Sequence, residues 1–373
     1  MATSIVAQML WLSFSALPPC TTNVLCPTAD NVTFLTAIYP IVFVAISLPT
    51  GYFIDARGFR SPVILGATLL AVSGMLRPFA PSFPVLLALQ GVGAVGQPFL
   101  LNSISKIARS WFPSSEVTTA TGLGTLSIYI GLALGFGLTP VFASLQGTRG
   151  MLFTYGILAI VAAALFIGFG REPKQGVAPE KGPSFREIFG MLKIRNIALL
   201  SALFFLGIGV FNAFATYVQP MLLARGIANA LGGILGGVMI IGGIAGALVM
   251  SVLADRFHTL RIPFLGCLGA ATVLWMALGV MEGVVPETIG LFILGFFFMS
   301  ALPLGLELSA RSVSPSAEGA ANALVWEFSQ IGGSVLIFVF EGVGTTYGWT
   351  LTFFLAAAIT ASMLLFSFGL RSR

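Results

Sequence analysis

The sequence predicts an all-α membrane protein with twelve transmembrane helices in two six-helix, pseudo-symmetric halves. Three observations predict it. The 373 residues are 57% hydrophobic and 8% charged, with a mean hydropathy of +0.99. Apolar runs of the length a spanning helix needs, about 20 residues, recur twelve times along the chain. A segment near residue 108 reappears near residue 310.

Composition excludes other classes first. A soluble domain carries about 25% charged residues, and the 18 Lys+Arg and 13 Asp+Glu here cannot cover a wet surface. Disorder needs low hydrophobicity and high charge. Three cysteines, Cys20, Cys26 and Cys267, do not make a disulfide scaffold. The net charge of +5 is scattered in short gaps between apolar runs, so it is no phosphate-tracking surface and no nucleic acid is expected. The runs are apolar all round, which excludes a β-barrel of alternating ten-residue strands.

The expected spans are roughly 2–24, 33–54, 61–80, 84–107, 115–143, 150–170, 196–222, 227–253, 262–282, 287–309, 317–341 and 347–369. The first has neither a charged n-region nor a clear cleavage site, so it reads as a transmembrane helix and not as a signal peptide. With both ends on one side, all 18 basic residues except Arg77, Arg149 and Arg225 fall on that side. The positive-inside rule makes that side cytoplasmic, with both termini there. A cell (inner or plasma) membrane location is expected.

The domain plan follows. Residues 1–170 form an N-terminal six-helix bundle, 171–195 a cytoplasmic linker, and 196–373 a C-terminal six-helix bundle. In the linker, Ser184 to Glu187 has capping-box spacing. Phe185, Ile188, Phe189 and Leu192 follow at helical spacing, which predicts a short amphipathic helix on the membrane surface.

The halves repeat each other. Ala108 to Glu116 matches Ala310 to Glu318 at six of nine positions. Gly51 to Arg57 aligns with Ser251 to Arg256, placing Asp55 opposite Asp255. Both pairs sit at equivalent helix ends on one side, so the repeats are parallel and related by an axis along the membrane normal. Such halves imply a cavity between them that opens to one side at a time.

Gly51-x-x-x-Asp55-x-Arg57-Gly58-x-Arg60 resembles the loop 2–3 signature of the major facilitator superfamily, and Asp255-Arg256 its degenerate second copy. The resemblance covers the whole chain and implies the major facilitator fold and secondary transport by alternating access. Asp55 can pair with Arg57, Arg60 or Arg109, or face a helix N-terminus. Glu116 and Glu318 lie in the first turns of expected helices. Asp55, Arg57, Arg60, Arg109, Glu116, Asp255, Arg256 and Glu318 are therefore the expected cytoplasmic gate. Each partly hydrated contact is worth ~0.5–2 kcal/mol. Plain loop charge obeying the positive-inside rule is the competing account.

Ionisable residues deep in a span are functional candidates. Glu327 lies about ten residues into the eleventh span, roughly 15 Å deep. Trp326 precedes it and Gln330 follows. Trp11 stands at similar depth in the first span, and the seventh supplies Asn212 and Tyr217. A carboxylate among aromatic faces suits an amine through charge pairing and cation–π contact. Glu327 could equally be a structural hydrogen-bonding group, and the other residues interhelical contacts. Glu307 is one turn from Arg311 and positioned to pair with it. Arg77 sits near the outer end of the third span; facing the cavity, it would suit an organic anion.

A narrower resemblance lies in Ser105-x-x-Ala108-x-x-Trp111-Phe112-x-x-x-Glu116-Val117-x-Thr119-Ala120, and in Leu302-Pro303-Leu304-Gly305-x-Glu307 followed by Glu318-Gly319 and Gln330. These stretches are similar to the feline leukaemia virus subgroup C receptor-related (haem/choline-type) branch. The resemblance implies a choline, ethanolamine or related solute, haem export having also been claimed for that branch. It places Trp11 and Gln330 at binding positions. The branch's Asn-Gln pair in helix 5 stands here as Ile128-Tyr129, its helix 1 asparagine falls at Ala7, and its helix 7 tyrosine falls at or near Asn212. Glu327 is outside that pattern.

The expected function is secondary active or facilitative transport of a small organic solute, with a rocker-switch and a central site between the halves. The helix 5 stretch does not reproduce the superfamily's antiporter signature, favouring uniport or symport. A non-transporting receptor or sensor on the same fold, or a proton-coupled organic-anion exporter, are the alternatives. No enzyme is expected, because His258 is the sole histidine and no nucleophile set, phosphate loop or metal spacing is present. No cofactor or metal is expected. Expected partners are an amine or choline-like solute, a proton or cation, and membrane lipid, with the chain a monomer.

Overall fold

In hydrocarbon every backbone N–H and C=O must find its partner inside the protein, so an apolar chain of this length folds as helices. The computed structural model describes residues 1–17, 29–113, 117–172, 185–227, 229–256, 259–313 and 318–370. Among them there is no strand. Among the described residues, ten helices are long and apolar enough to cross a membrane. Their outward faces are apolar too: α10 (Arg261–Val280) buries Trp275 and Leu268 while exposing Val273, Met276 and Val280, as a lipid-facing helix does.

The chain divides into two units, 1–180 and 181–373. Unit 1 contains α1 (Ala2–Leu12), α2 (Ala29–Arg57), α3 (Arg60–Leu76), α4 (Phe83–Leu101), α5 (Ser103–Trp111) and α6 (Val117–Phe169). At 1.5 Å per residue α6 would run about 80 Å, more than twice the hydrocarbon thickness. It breaks at Gly147, whose φ of 71° and ψ of 167° are non-helical. The break falls between the expected fifth and sixth spans, so α6 holds both. α4 and α5 form one expected span interrupted at Asn102, whose amide donates to the Ser47 carbonyl, the Ser47 hydroxyl and the Thr50 hydroxyl at 3.1–3.2 Å. The expected first span, 2–24, is described only as α1 and the turn that follows it; Cys20 and Cys26 lie outside the described residues. The core gathers Leu10, Phe14, Leu70, Leu86, Leu152 and Tyr155.

Unit 2 contains α7 (Phe185–Gly190), α8 (Arg195–Leu223), α9 (Asn229–Arg256), α10, α11 (Val284–Phe298), α12 (Ala301–Ala310), α13 (Glu318–Tyr347) and α14 (Thr350–Ser367). α11 and α12 make up one expected span, interrupted at Met299 and Ser300 as the fourth is at Asn102. The predicted capping residue Ser184 lies outside the described residues. Past it, Ile188 and Leu192 pack with Ile197, Ala321 and Leu324, so this face of the linker rests on α8 and α13, while Phe189 stays exposed.

The repeat read in the loops reaches the packing. A Cβ on Gly131 of α6 would overlap the Ile5 carbonyl oxygen of α1. A Cβ on Gly332 of α13 would overlap the Phe205 carbonyl oxygen of α8. Each half thus closes one helix pair by a glycine lying on a backbone, the close approach small residues permit.

Candidate functional site

The predicted binding residues occupy three helices. Trp11 of α1 is buried; its indole Nε1 donates to the Thr36 carbonyl at 3.0 Å, and its ring lies 6.4 Å from that of Tyr39. In α13, Glu327 is only 7% exposed, about 14 Å from the start of the helix at Glu318. Trp326 and Gln330 are half-buried. Asn212 of α8 is buried, with its amide where a Cβ on Gly333 would stand. That is one turn from Gln330, so these two share a level.

Tyr217 does not join them. α8 and α13 run parallel, Phe205 and Gly209 meeting Gly332 and Asn212 meeting Gly333. Along that pair Tyr217 lies about 16 Å further than Glu327, its ring against Trp349 at 4.8 Å. The five-residue spacing from Asn212 to Tyr217 hides this in sequence, because the register between two distant helices is set by tertiary packing.

At the loop after α2, Arg57 is exposed and its guanidinium lies 5.1 Å from the centre of the Phe53 ring. The Arg60 backbone N–H donates to Glu172 Oε1 at 3.1 Å, and Arg60 Nε donates to the Gly170 carbonyl at 2.8 Å. Glu172 is thus an Arg60 partner that the motif did not reveal. Gly58, at φ 78°, leaves that carboxylate its room. Arg256 is exposed. Glu116 and the side chains of Asp55, Arg109, Asp255 and Glu318 lie outside the described residues. The expected Arg311–Glu307 ion pair is present at 2.8 Å on an exposed turn.

Two buried arginines were not legible. Arg77, in the 3-10 turn after α3, is wholly buried inside unit 1. Its Nη1 donates to the Leu10 carbonyl (3.1 Å), the Ser13 hydroxyl (3.2 Å) and Gln90 Oε1 (2.6 Å). Arg225, after α8, is buried with Glu287 in an ion pair, and its Nη1 donates to the Gly279 carbonyl at 3.0 Å. Both had been counted as outer-end charges facing water or a cavity. Their partners lie 13 to 67 residues away, beyond any local spacing rule.

The helical architecture, the glycine seams and the buried ionisable groups point to a transporter scaffold. The family model described as the Major Facilitator Superfamily matches residues 1–336. The chain belongs to the major facilitator superfamily. An uncharacterized protein of Archaeoglobus fulgidus is 38% identical over 59% of this chain and 100% of its own. Solute carrier family 49 member A3 of Danio rerio is 27% identical over 90% of this chain and 75% of its own. The human choline/ethanolamine transporter FLVCR2 is 24% identical over 91% and 70%. Within the superfamily the chain is therefore related to the FLVCR branch. Among solved structures, the nucleoside transporter NupG (D323A mutant) superposes with a TM-score of 0.78 at 12% identity, over 100% of this chain and 98% of that one. A bacterial homologue of the human lysosomal transporter Spinster gives 0.73 at 15% identity, over 99% and 93%. Both likenesses establish the superfamily fold. The protein is a multi-pass membrane protein of a solute-transporting family.

Proposed function

We propose that the chain carries a small organic amine, of choline or ethanolamine type, across the membrane by alternating access. The observation that carries this reading is Glu327, a carboxylate 7% exposed and about 14 Å along α13. A carboxylate that deep is costly to bury, which makes it a functional candidate by default. Trp326 beside it and Trp11 in α1 supply the aromatic faces that hold an alkylammonium group, with Asn212 and Gln330 as orienting hydrogen-bond groups. The names of FLVCR2 and its relatives support the substrate class. Asp55, Arg57, Arg60, Arg109, Glu116, Asp255, Arg256 and Glu318 form a latch at the cytoplasmic ends, where both termini also lie. The chain works as a monomer, by uniport or with a proton or cation.

The test is uptake into proteoliposomes of labelled choline and ethanolamine, with and without a pH gradient. Saturable uptake is expected, falling roughly tenfold in Glu327→Gln, the loss of about 1.4 kcal/mol of binding. Full transport by that variant with an unaltered pH profile removes Glu327 from the site. No uptake of any amine, with binding retained, makes the protein a receptor on the same fold. Asp55→Asn is expected to shift labelling of cysteines placed beside the latch; unchanged labelling and transport remove the latch.

A further inference from the structure

We propose that unit 1 holds a small inorganic anion of chloride type in a buried node between α2, α3 and α4, formed by Tyr39, Ser73 and Arg77 around Gly93. The guanidinium of Arg77 uses only one of its nitrogens: Nε and Nη2 have no hydrogen-bond partner. The Tyr39 hydroxyl and the Ser73 hydroxyl have none either. All three side chains are fully buried. Leaving one such group unmade costs about 1–3 kcal/mol, more for a charged one, so four orphan atoms in one place need an occupant.

The atoms converge. Ser73 and Arg77 are one turn apart on one face of α3, continued into the 3-10 turn. Gln90 and Gly93 are one turn apart on the facing side of α4. Gln90 meets Arg77 through its bond to Nη1, and Gly93 meets Ser73. A Cβ on Gly93 would stand 2.7 Å from Ser73 Oγ and 2.8 Å from the Tyr39 hydroxyl. A side chain there would overlap both hydroxyls, so only glycine lets the two approach the same point. The guanidinium lies within electrostatic reach of the Tyr39 hydroxyl.

The chemistry selects the occupant. Arg77 offers donors only and cannot shed its charge. Tyr39 and Ser73 can both turn their O–H groups inward. No carboxylate pairs with Arg77 among the described residues. A desolvated cation needs a counter-charge, and a monatomic anion supplies it while accepting every available hydrogen bond. A water would satisfy the hydroxyls and leave the charge uncompensated. The Tyr39 ring also touches the ring of Trp11, so the anion steadies a residue placed in the binding site.

The experiment is thermal unfolding of the purified full chain in sodium chloride against sodium gluconate at constant ionic strength. Chloride is expected to raise the midpoint saturably by about 5 °C, as a ligand of the folded state does, with bromide and nitrate equivalent. Tyr39→Phe and Ser73→Ala each shift the chloride concentration at half-effect at least threefold upward, while keeping the wild-type midpoint in gluconate. Gly93→Ala, whose methyl pushes the two hydroxyls aside, removes the response. Identical unfolding in chloride and gluconate overturns the proposal in favour of buried water. A chloride response unchanged in the Tyr39→Phe/Ser73→Ala double variant places the ion elsewhere and overturns it too.

Discussion

Unit 1 and unit 2 each bury one arginine at the end of a helix, and they neutralise it differently. Arg77 donates to the Leu10 carbonyl, one of the last four of α1. Arg225 donates to the Gly279 carbonyl, one of the last four of α10. In both, a cation meets a last-turn carbonyl at the negative end of a helix dipole, the Leu10 carbonyl accepting from the Ser13 hydroxyl as well. There the likeness ends. Arg225 also has Glu287, in the first turn of α11, where the dipole favours a carboxylate. It therefore bridges the end of one helix and the start of the next as a closed ion pair, its guanidinium 5.5 Å from the centre of the Phe353 ring. Arg77 has neutral partners in Gln90 and Ser13 and lies over the Phe14 ring, 5.9 Å from its centre. One half pairs its arginine with a carboxylate; the other, among the described residues, surrounds its arginine with neutral groups. The contrast shows that similar helix ends in a duplicated fold need not share an electrostatic solution.

The largest expected effect breaks the closed pair. Glu287→Gln leaves Arg225 buried without its carboxylate and is expected to cost about 3–5 kcal/mol, read as a sharp fall in thermal midpoint of the purified protein. A double replacement, Arg225→Met with Glu287→Leu, should recover at least half of that loss, because it removes both charges; equal loss in single and double variants would mean the two groups do not act as a pair. Next in size is Arg77→Met. It deletes a cation with no carboxylate partner among the described residues, leaving Gln90 without its donor while the Leu10 carbonyl keeps the Ser13 hydroxyl, and should cost about 1–3 kcal/mol. A cost matching Glu287→Gln would erase the contrast between the units. The smallest effect is Arg311→Ala. Its pair with Glu307 is exposed and one turn long, worth roughly 0–0.5 kcal/mol, so the midpoint should barely move.

The spans were legible because a helix long enough to cross a bilayer must be written as an uninterrupted apolar run. The turn between the fifth and sixth spans was legible as well, and Gly147 sits in it. The interruptions at Asn102 and Ser300 were not, since a single polar residue in an apolar run signals nothing about its neighbours. Of the binding residues, Glu327 announced itself by depth alone. The separation of Tyr217 from it was invisible, because sequence gives each helix its own ruler and no common origin. Arg77, Arg225 and Glu287 were hidden for a different reason. Counting charges at helix ends treats them all as wet, and only tertiary contacts with Gln90, Gly279 and their like reveal which are dry. A hint existed: few basic residues stand on the outer side, and Glu287 opens a helix.

The glycine seams have a mechanical consequence. Where Gly131 lies on the Ile5 carbonyl and Gly332 on that of Phe205, no knob enters a hole. Contact there is main chain on main chain, held by dispersion and weak C–H···O attraction. Such a strip resists being pulled apart far more than it resists a small slip along its length. Each of these joins is therefore also a smooth bearing.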